Sequence, residues 1–160
     1  IEKSYQLEPG NNLQYINQWI DKSTFELNRS ASNGIRDINK YLPEEKSLIF
    51  WISDFHYTPI KIDEILNKLS THHIIPIFIS SESEIKRMPN YGFRKFIDSE
   101  QDLEHEIFLR PSVKRKILTD YKNMKNIIFN IFSKKQLKPI EINEDINLES
   151  IQKYFLGNYI

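Results

Sequence analysis

The stretch LIFWISDFH, Leu48 to His56, runs an apolar segment straight into an aspartate, a phenylalanine and a histidine. Asp54 in that position has three chemical uses: nucleophile, ligand to a hard cation, or cap for backbone amides in the loop before Thr58. His56 gains interest only through its nearness to Asp54. A second polar group, Ser80, Ser81, Glu82 and Glu84, follows the apolar run Ile74 to Ile79. Its hydroxyl and carboxylate oxygens suit magnesium, but an ordinary solvated turn into a short helix is the favoured reading. The four histidines are scattered and no pair has a metal-ligand spacing. His72 and His73 read as the start of a strand rather than as zinc ligands.

Composition narrows the chemistry. There are no cysteines, which removes disulfides, thiolate zinc sites and cysteine nucleophiles. Lys+Arg and Asp+Glu both number 22, so no net field recruits nucleic acid or an anionic membrane. The cations Lys114, Arg115, Lys116, Lys122 and Lys125 read as the wet face of a helix, with no aromatic platform among them. No apolar run approaches the ~20 residues that span a bilayer, and no signal segment opens the chain. With 160 residues, 39% of them hydrophobic, a single domain with its own core is expected over residues 1–160. Because the chain starts at Ile1, it reads as a processed or excised piece.

The elements that would position these groups follow from periodicity. Residues 3–8 suit a short strand before Pro9-Gly10, and Leu13, Ile16, Trp19 and Ile20 mark one face of a helix. A further helix is predicted over roughly 33–42, ending before Pro43. Residues 47–53 read as a strand buried on both faces, central in its sheet, with Phe50 and Trp51 each under a helix. Thr58 and Pro59 start a helix buried through Ile62, Ile65, Leu66 and Leu69. The strand Ile74 to Ile79 completes a right-handed parallel crossover. A hairpin is predicted from Phe93–Asp98 and Leu103–Phe108. The long helix from Pro111 carries the stripe Val113, Ile117, Tyr121, Met124, Ile128 and Ile131. A short strand at Ile140 and Ile142 and a last helix capped by Gly157 close the chain. The class is α/β: three layers, a mainly parallel sheet with helices on both faces. Ligands of such sheets sit beyond the carboxyl ends of the strands, where Asp54 falls.

From Leu48 onward, one ordered series of features stands out. It comprises Ile52-Ser53-Asp54-Phe55, His72-His73-Ile74-Ile75-Pro76-Ile77, Met88-Pro89-Asn90-Tyr91-Gly92, Asp98-Ser99-Glu100 and the long helix. This series resembles the von Willebrand factor A-like domain of the bacterial family catalogued as domain of unknown function 58. Members are often associated with MoxR-type AAA+ ATPases. The similarity covers about the last two-thirds of the chain.

The resemblance implies that Asp54 helps to hold magnesium, with a serine from an earlier loop near Ser30 or Ser32 as another ligand. Asn28-Arg29-Ser30-Ala31-Ser32 superficially resembles the aspartate-x-serine-x-serine loop of metal-dependent adhesion sites, with an amide at its first position. The main ligand loop belongs after a first strand that this chain does not carry before Ile1. The set Asp54, Ser32 and Ser30 is therefore degenerate and is not expected to be occupied. No cofactor is expected, with magnesium open only to a longer chain. The implied function is a non-enzymatic protein-interaction domain with no catalytic residues, assisting assembly with a MoxR-type AAA+ ATPase. Neither nucleic acid nor membrane contact is expected, and the setting is cytoplasmic, with any tether in segments absent here. The alternative is a phosphatase-like hydrolase with Asp54 as nucleophile. Asp54, His56 and Thr58 alternate somewhat like the opening motif of haloacid-dehalogenase-like enzymes, and Ser80 would be the later hydroxyl.

Overall fold

β-branched and aromatic residues dominate Leu48–Ser53, which forms the first strand, β1. In the computed structural model of the chain, the described residues are Asn17, Gln18, Ile38, 42–98 and 103–158. After β1, helix α1 spans Pro59–Lys68. Thr58 caps it by accepting the Lys61 N–H at 3.4 Å, and Pro59 occupies the first turn, where a missing N–H costs nothing. Strand β2 spans His73–Ile79 and pairs parallel with β1, from Leu48 opposite His73 to Ser53 opposite Phe78. Helix α2 is Glu82–Arg87, and β3 (Gly92–Asp98) and β4 (Leu103–Leu109) form a separate two-stranded sheet. Helix α3 is Pro111–Lys134, β5 is Ile140–Ile142 and α4 is Leu148–Asn158. The main sheet has the order β1-β2-β5, all parallel. The fold is mixed α/β. Two compact units divide the chain, residues 1–42 with 95–105 and residues 43–94 with 106–160, and the parallel sheet lies in the second.

The core sits between α1, α3 and one face of that sheet. Ile62, Ile65, Leu66 and Leu69 are buried, as the α1 periodicity predicts. Phe55 stacks on Phe78 at 5.8 Å, and its ring edge meets Trp51 at 4.8 Å and Phe132 at 5.1 Å. The buried residues of α3 are Ile128 and Phe132, while Met124 is 39% exposed. Val113, Ile117, Tyr121 and Ile131 of the expected stripe are half-buried, and so are Lys114, Leu118 and Lys125 beside them. Two lysines thus share the covered side with the expected stripe, of which Met124 alone is exposed. Lys125 holds its ammonium 5.9 Å from the centre of the Phe78 ring and 5.4 Å from that of Phe129, and pairs with Glu141 at 2.5 Å. Lys114 donates to the carbonyls of Lys86 and Met88 at the end of α2. Neither belongs to a wet face; Lys122 pairs with Glu82 at 3.6 Å, while Arg115 and Lys116 are exposed.

β1 departs from expectation. Its residues alternate strictly, so Phe50 and Trp51 do face opposite ways, but only the Trp51 face is covered. Leu48 is 49% exposed, Phe50 49% and Ile52 62%. Among the described residues β1 is an edge strand and β2 is central. A continuous apolar run cannot distinguish a strand covered on both faces from one whose second face is bare. The last helix also runs through Gly157 to Asn158, so that glycine is not its cap. The strand expected at 3–8, the N-terminal helix, most of the helix at 33–42, Ser30, Ser32 and the Ser99-Glu100 tip lie outside the described residues.

Pro76 is placed on the central strand without breaking it. The His73 N–H donates to Ser47 O at 2.9 Å and the Ser80 N–H to Ile142 O at 2.8 Å. Odd-numbered residues of β2 thus direct their backbone groups to β1 and even-numbered ones to β5. The β2–β5 register begins only at Ile77 opposite Ile140. Stepping back along it, the next rung would need the missing N–H of Pro76, so the ladder stops there.

Candidate functional site

Asp54 leaves the carboxyl end of β1 through a turn set by Phe55, whose φ is 54°. Left-handed backbone is costly for a bulky residue, and here it places the Phe55 ring wholly inside the core, at 0% exposure. Ser53 Oγ accepts the Phe55 N–H at 3.0 Å, and Asp54 Oδ1 accepts the His56 N–H at 3.3 Å. Asp54 Oδ2 lies 3.2 Å from His56 Nδ1. That ring hydrogen bond holds the Asp54 carboxyl below its ordinary value of 3.8, against the opposing effect of partial burial and with help from the imidazole charge. The turn thus buries one side chain and presents an ionised carboxylate with an imidazole beside it, both exposed.

The neighbouring strand end is engaged differently. Ser80 is buried, and its Oγ is 3.1 Å from Tyr121 Oη, which also accepts the Ser81 N–H at 3.0 Å. Glu82 pairs with Lys86 at 2.8 Å, which lowers its pKa. Sequence reasoning missed Tyr121 as the organiser of this end, because an aromatic at helical spacing reads as core. Asp54 and Ser80 leave adjacent parallel strands at the same end. The Asp54 oxygens are taken up with His56 and the Ser80 hydroxyl with Tyr121. A hard cation wants about six oxygens, and among the described residues no three of His, Asp or Glu gather around one point.

A cavity of about 300 Å³ opens at the opposite, amino end of the strands, lined by His72, His73, Tyr154 and the α3–β5 link. Sequence reading gave that end no role beyond starting a strand. Its signal was present in Gln136, Leu137 and Lys138, but only the folded chain brings them to the histidines. Among the described residues, no helix is long and apolar enough to cross a membrane. No protein-family model, curated protein or solved structure matches the chain.

Proposed function

We propose that the chain is a non-enzymatic protein-interaction domain of von Willebrand A-like build, acting in the cytoplasm in complex assembly with a MoxR-type AAA+ ATPase as partner. The observation that carries the interaction reading is the row Leu48, Phe50 and Ile52, about half to two-thirds exposed along one face of β1. Contiguous exposed apolar side chains are costly in water and mark protein contacts. The parallel β1-α1-β2 crossover with Asp54 at its carboxyl end is compatible with the A-like build. That build further requires helices on both faces and a strand outside β1, which remain part of the proposal.

The test is a binding titration with a purified MoxR-type ATPase from the same genome. Phe50→Lys is expected to weaken binding about tenfold or more, as loss of an aromatic anchor does, with an unchanged melting temperature. Equal binding by wild type and variant, or no binding by either, overturns the reading. The exposed, ionised Asp54 is what favours the hydrolase alternative. Phosphatase turnover with magnesium that disappears in Asp54→Asn would establish it.

A further inference from the structure

We propose that the chain forms a two-fold symmetric dimer in which the β1 strands of two copies pair antiparallel, with Phe50 of one copy opposite Phe50 of the other. The two parallel sheets then continue into one another across the two-fold axis.

The backbone of β1 supplies the donors and acceptors. In a parallel ladder, alternate residues of a strand bond a given neighbour. The His73 N–H donates to Ser47 O, so Ser47, Ile49, Trp51 and Ser53 direct their backbone groups to β2. Leu48, Phe50 and Ile52 direct theirs the other way, where β1 is the edge of the sheet among the described residues. Such an edge is a template for a further strand, and natural sheets guard it with lysine, proline or a bulge. Leu48–Ser53 carries neither lysine nor proline, and its register with β2 runs without a bulge.

Charge selects a second copy as the occupant and fixes its direction. Lys46, Leu48, Phe50, Ile52 and Asp54 stand at alternate positions, and Lys46 and Asp54 are both exposed. Antiparallel pairing about Phe50 sets Lys46 of each copy against Asp54 of the other. Leu48 then meets Ile52, and the two Phe50 rings meet each other, which are favourable cross-strand pairs. Asp54 keeps its bonds to His56 in this arrangement, because a carboxylate has lone pairs for several donors. The same register opposes Leu48, Phe50 and Ile52 as the residues that exchange backbone bonds, about six in all. Backbone direction and charge thus choose one register independently. Displacement by one residue loses the backbone match, and displacement by two, or parallel pairing, loses the charge match.

The second copy supplies the strand that the proposed build requires outside β1. The outer face of β1 stays open to a different partner, so the dimer does not depend on the ATPase reading.

The experiment is analytical ultracentrifugation of the whole chain over a dilution series. Wild type is expected to pass from monomer to dimer as concentration rises. Lys46→Glu and Asp54→Lys should each weaken the dimer about tenfold, because like charges then meet at both ends of the paired strands. An equal mixture of the two variants should restore it, since opposite charges face each other at both ends of the mixed dimer. The chain has no cysteine of its own, so introduced cysteines report the register. Leu48→Cys mixed with Ile52→Cys should form a disulfide on mild oxidation, their Cα atoms lying about 5.5 Å apart. Neither cysteine variant should link to itself. The dimer is overturned if wild type stays monomeric at every concentration or if both charge variants associate as wild type does. A mixture as weak as its components, or self-linking by Leu48→Cys, overturns the antiparallel register. No ATPase enters these measurements, so their failure leaves the partner reading standing.

Discussion

At the scale of single residues, Phe55 and Gln136 both adopt backbone that favours glycine. For Phe55 the gain is burial of a whole ring, so Phe55→Ala should cost about 3–5 kcal/mol. In ordinary backbone glycine would be worse than alanine by a further ~1 kcal/mol; at a left-handed φ that order reverses. Phe55→Gly is therefore expected to be the more stable of the two variants in urea denaturation, and the opposite order would refute the left-handed turn. Asp54 supplies a pH signature. Its folded pKa lies below its unfolded one, so its contribution is full above the unfolded value and is lost as pH falls through the folded value. Because both groups are exposed, the contribution should be under about 1 kcal/mol. Asp54→Asn should destabilise slightly at pH 7, and the difference should vanish in the acid limb below the ordinary value of 3.8; a constant difference across pH would count against the His56 pairing. The position of Asp54 at a strand end was legible in the sequence. The turn that sets its carboxylate against His56 was not, since nothing in a local pattern marks a phenylalanine for left-handed backbone.

At the scale of elements, strands and helices from Leu48 onward were readable because period and punctuation agree. Thr58-Pro59 opens α1, Pro111 opens α3, and Ile62 to Leu69 repeat at helical spacing. What periodicity could not supply was the partner of each face. Phe50→Ala is now expected to cost under about 1 kcal/mol, as for an exposed site. Trp51→Ala should cost about 2–4 kcal/mol through its contacts with Phe55 and Phe132. Equal losses in chemical denaturation would mean that the outer face of β1 is covered. The α3 stripe departs from expectation at Met124, and Lys114 and Lys125 join its covered side, because long lysine stems can pack inward while their charges find partners at the boundary. Lys125→Ala should lose about 1–2 kcal/mol, from the ammonium's contacts with two rings and the Glu141 pair. Lys116→Ala, on the exposed side, should stay within about 0.5 kcal/mol. Comparable losses at the two positions would return Lys125 to the wet face.

At the scale of the molecule, one prediction concerns metal. Magnesium at millimolar concentration is expected to leave the melting temperature of this chain unchanged, because stabilisation needs ligand well above its dissociation constant. A rise of several degrees that Asp54→Ala removes would show that residues beyond Asp54 and Ser80 complete a site. The mixed α/β class was open to sequence reading, since alternating strands and helices leave few arrangements. The cavity was not, because it depends on where one ladder stops. The bare face of β1 has a further consequence in the language of fibrils. LIFWIS has no charge, no proline and no glycine, and it lies at a sheet edge among the described residues. These are the attributes of a segment that zips to copies of itself. Lys46 and Asp54 stand just outside its two ends. In a parallel in-register stack, each would meet its own kind about every 4.7–4.8 Å, and like charges at that spacing repel. Asp54 would then serve as a gatekeeper whether or not it ever touches a metal or a substrate.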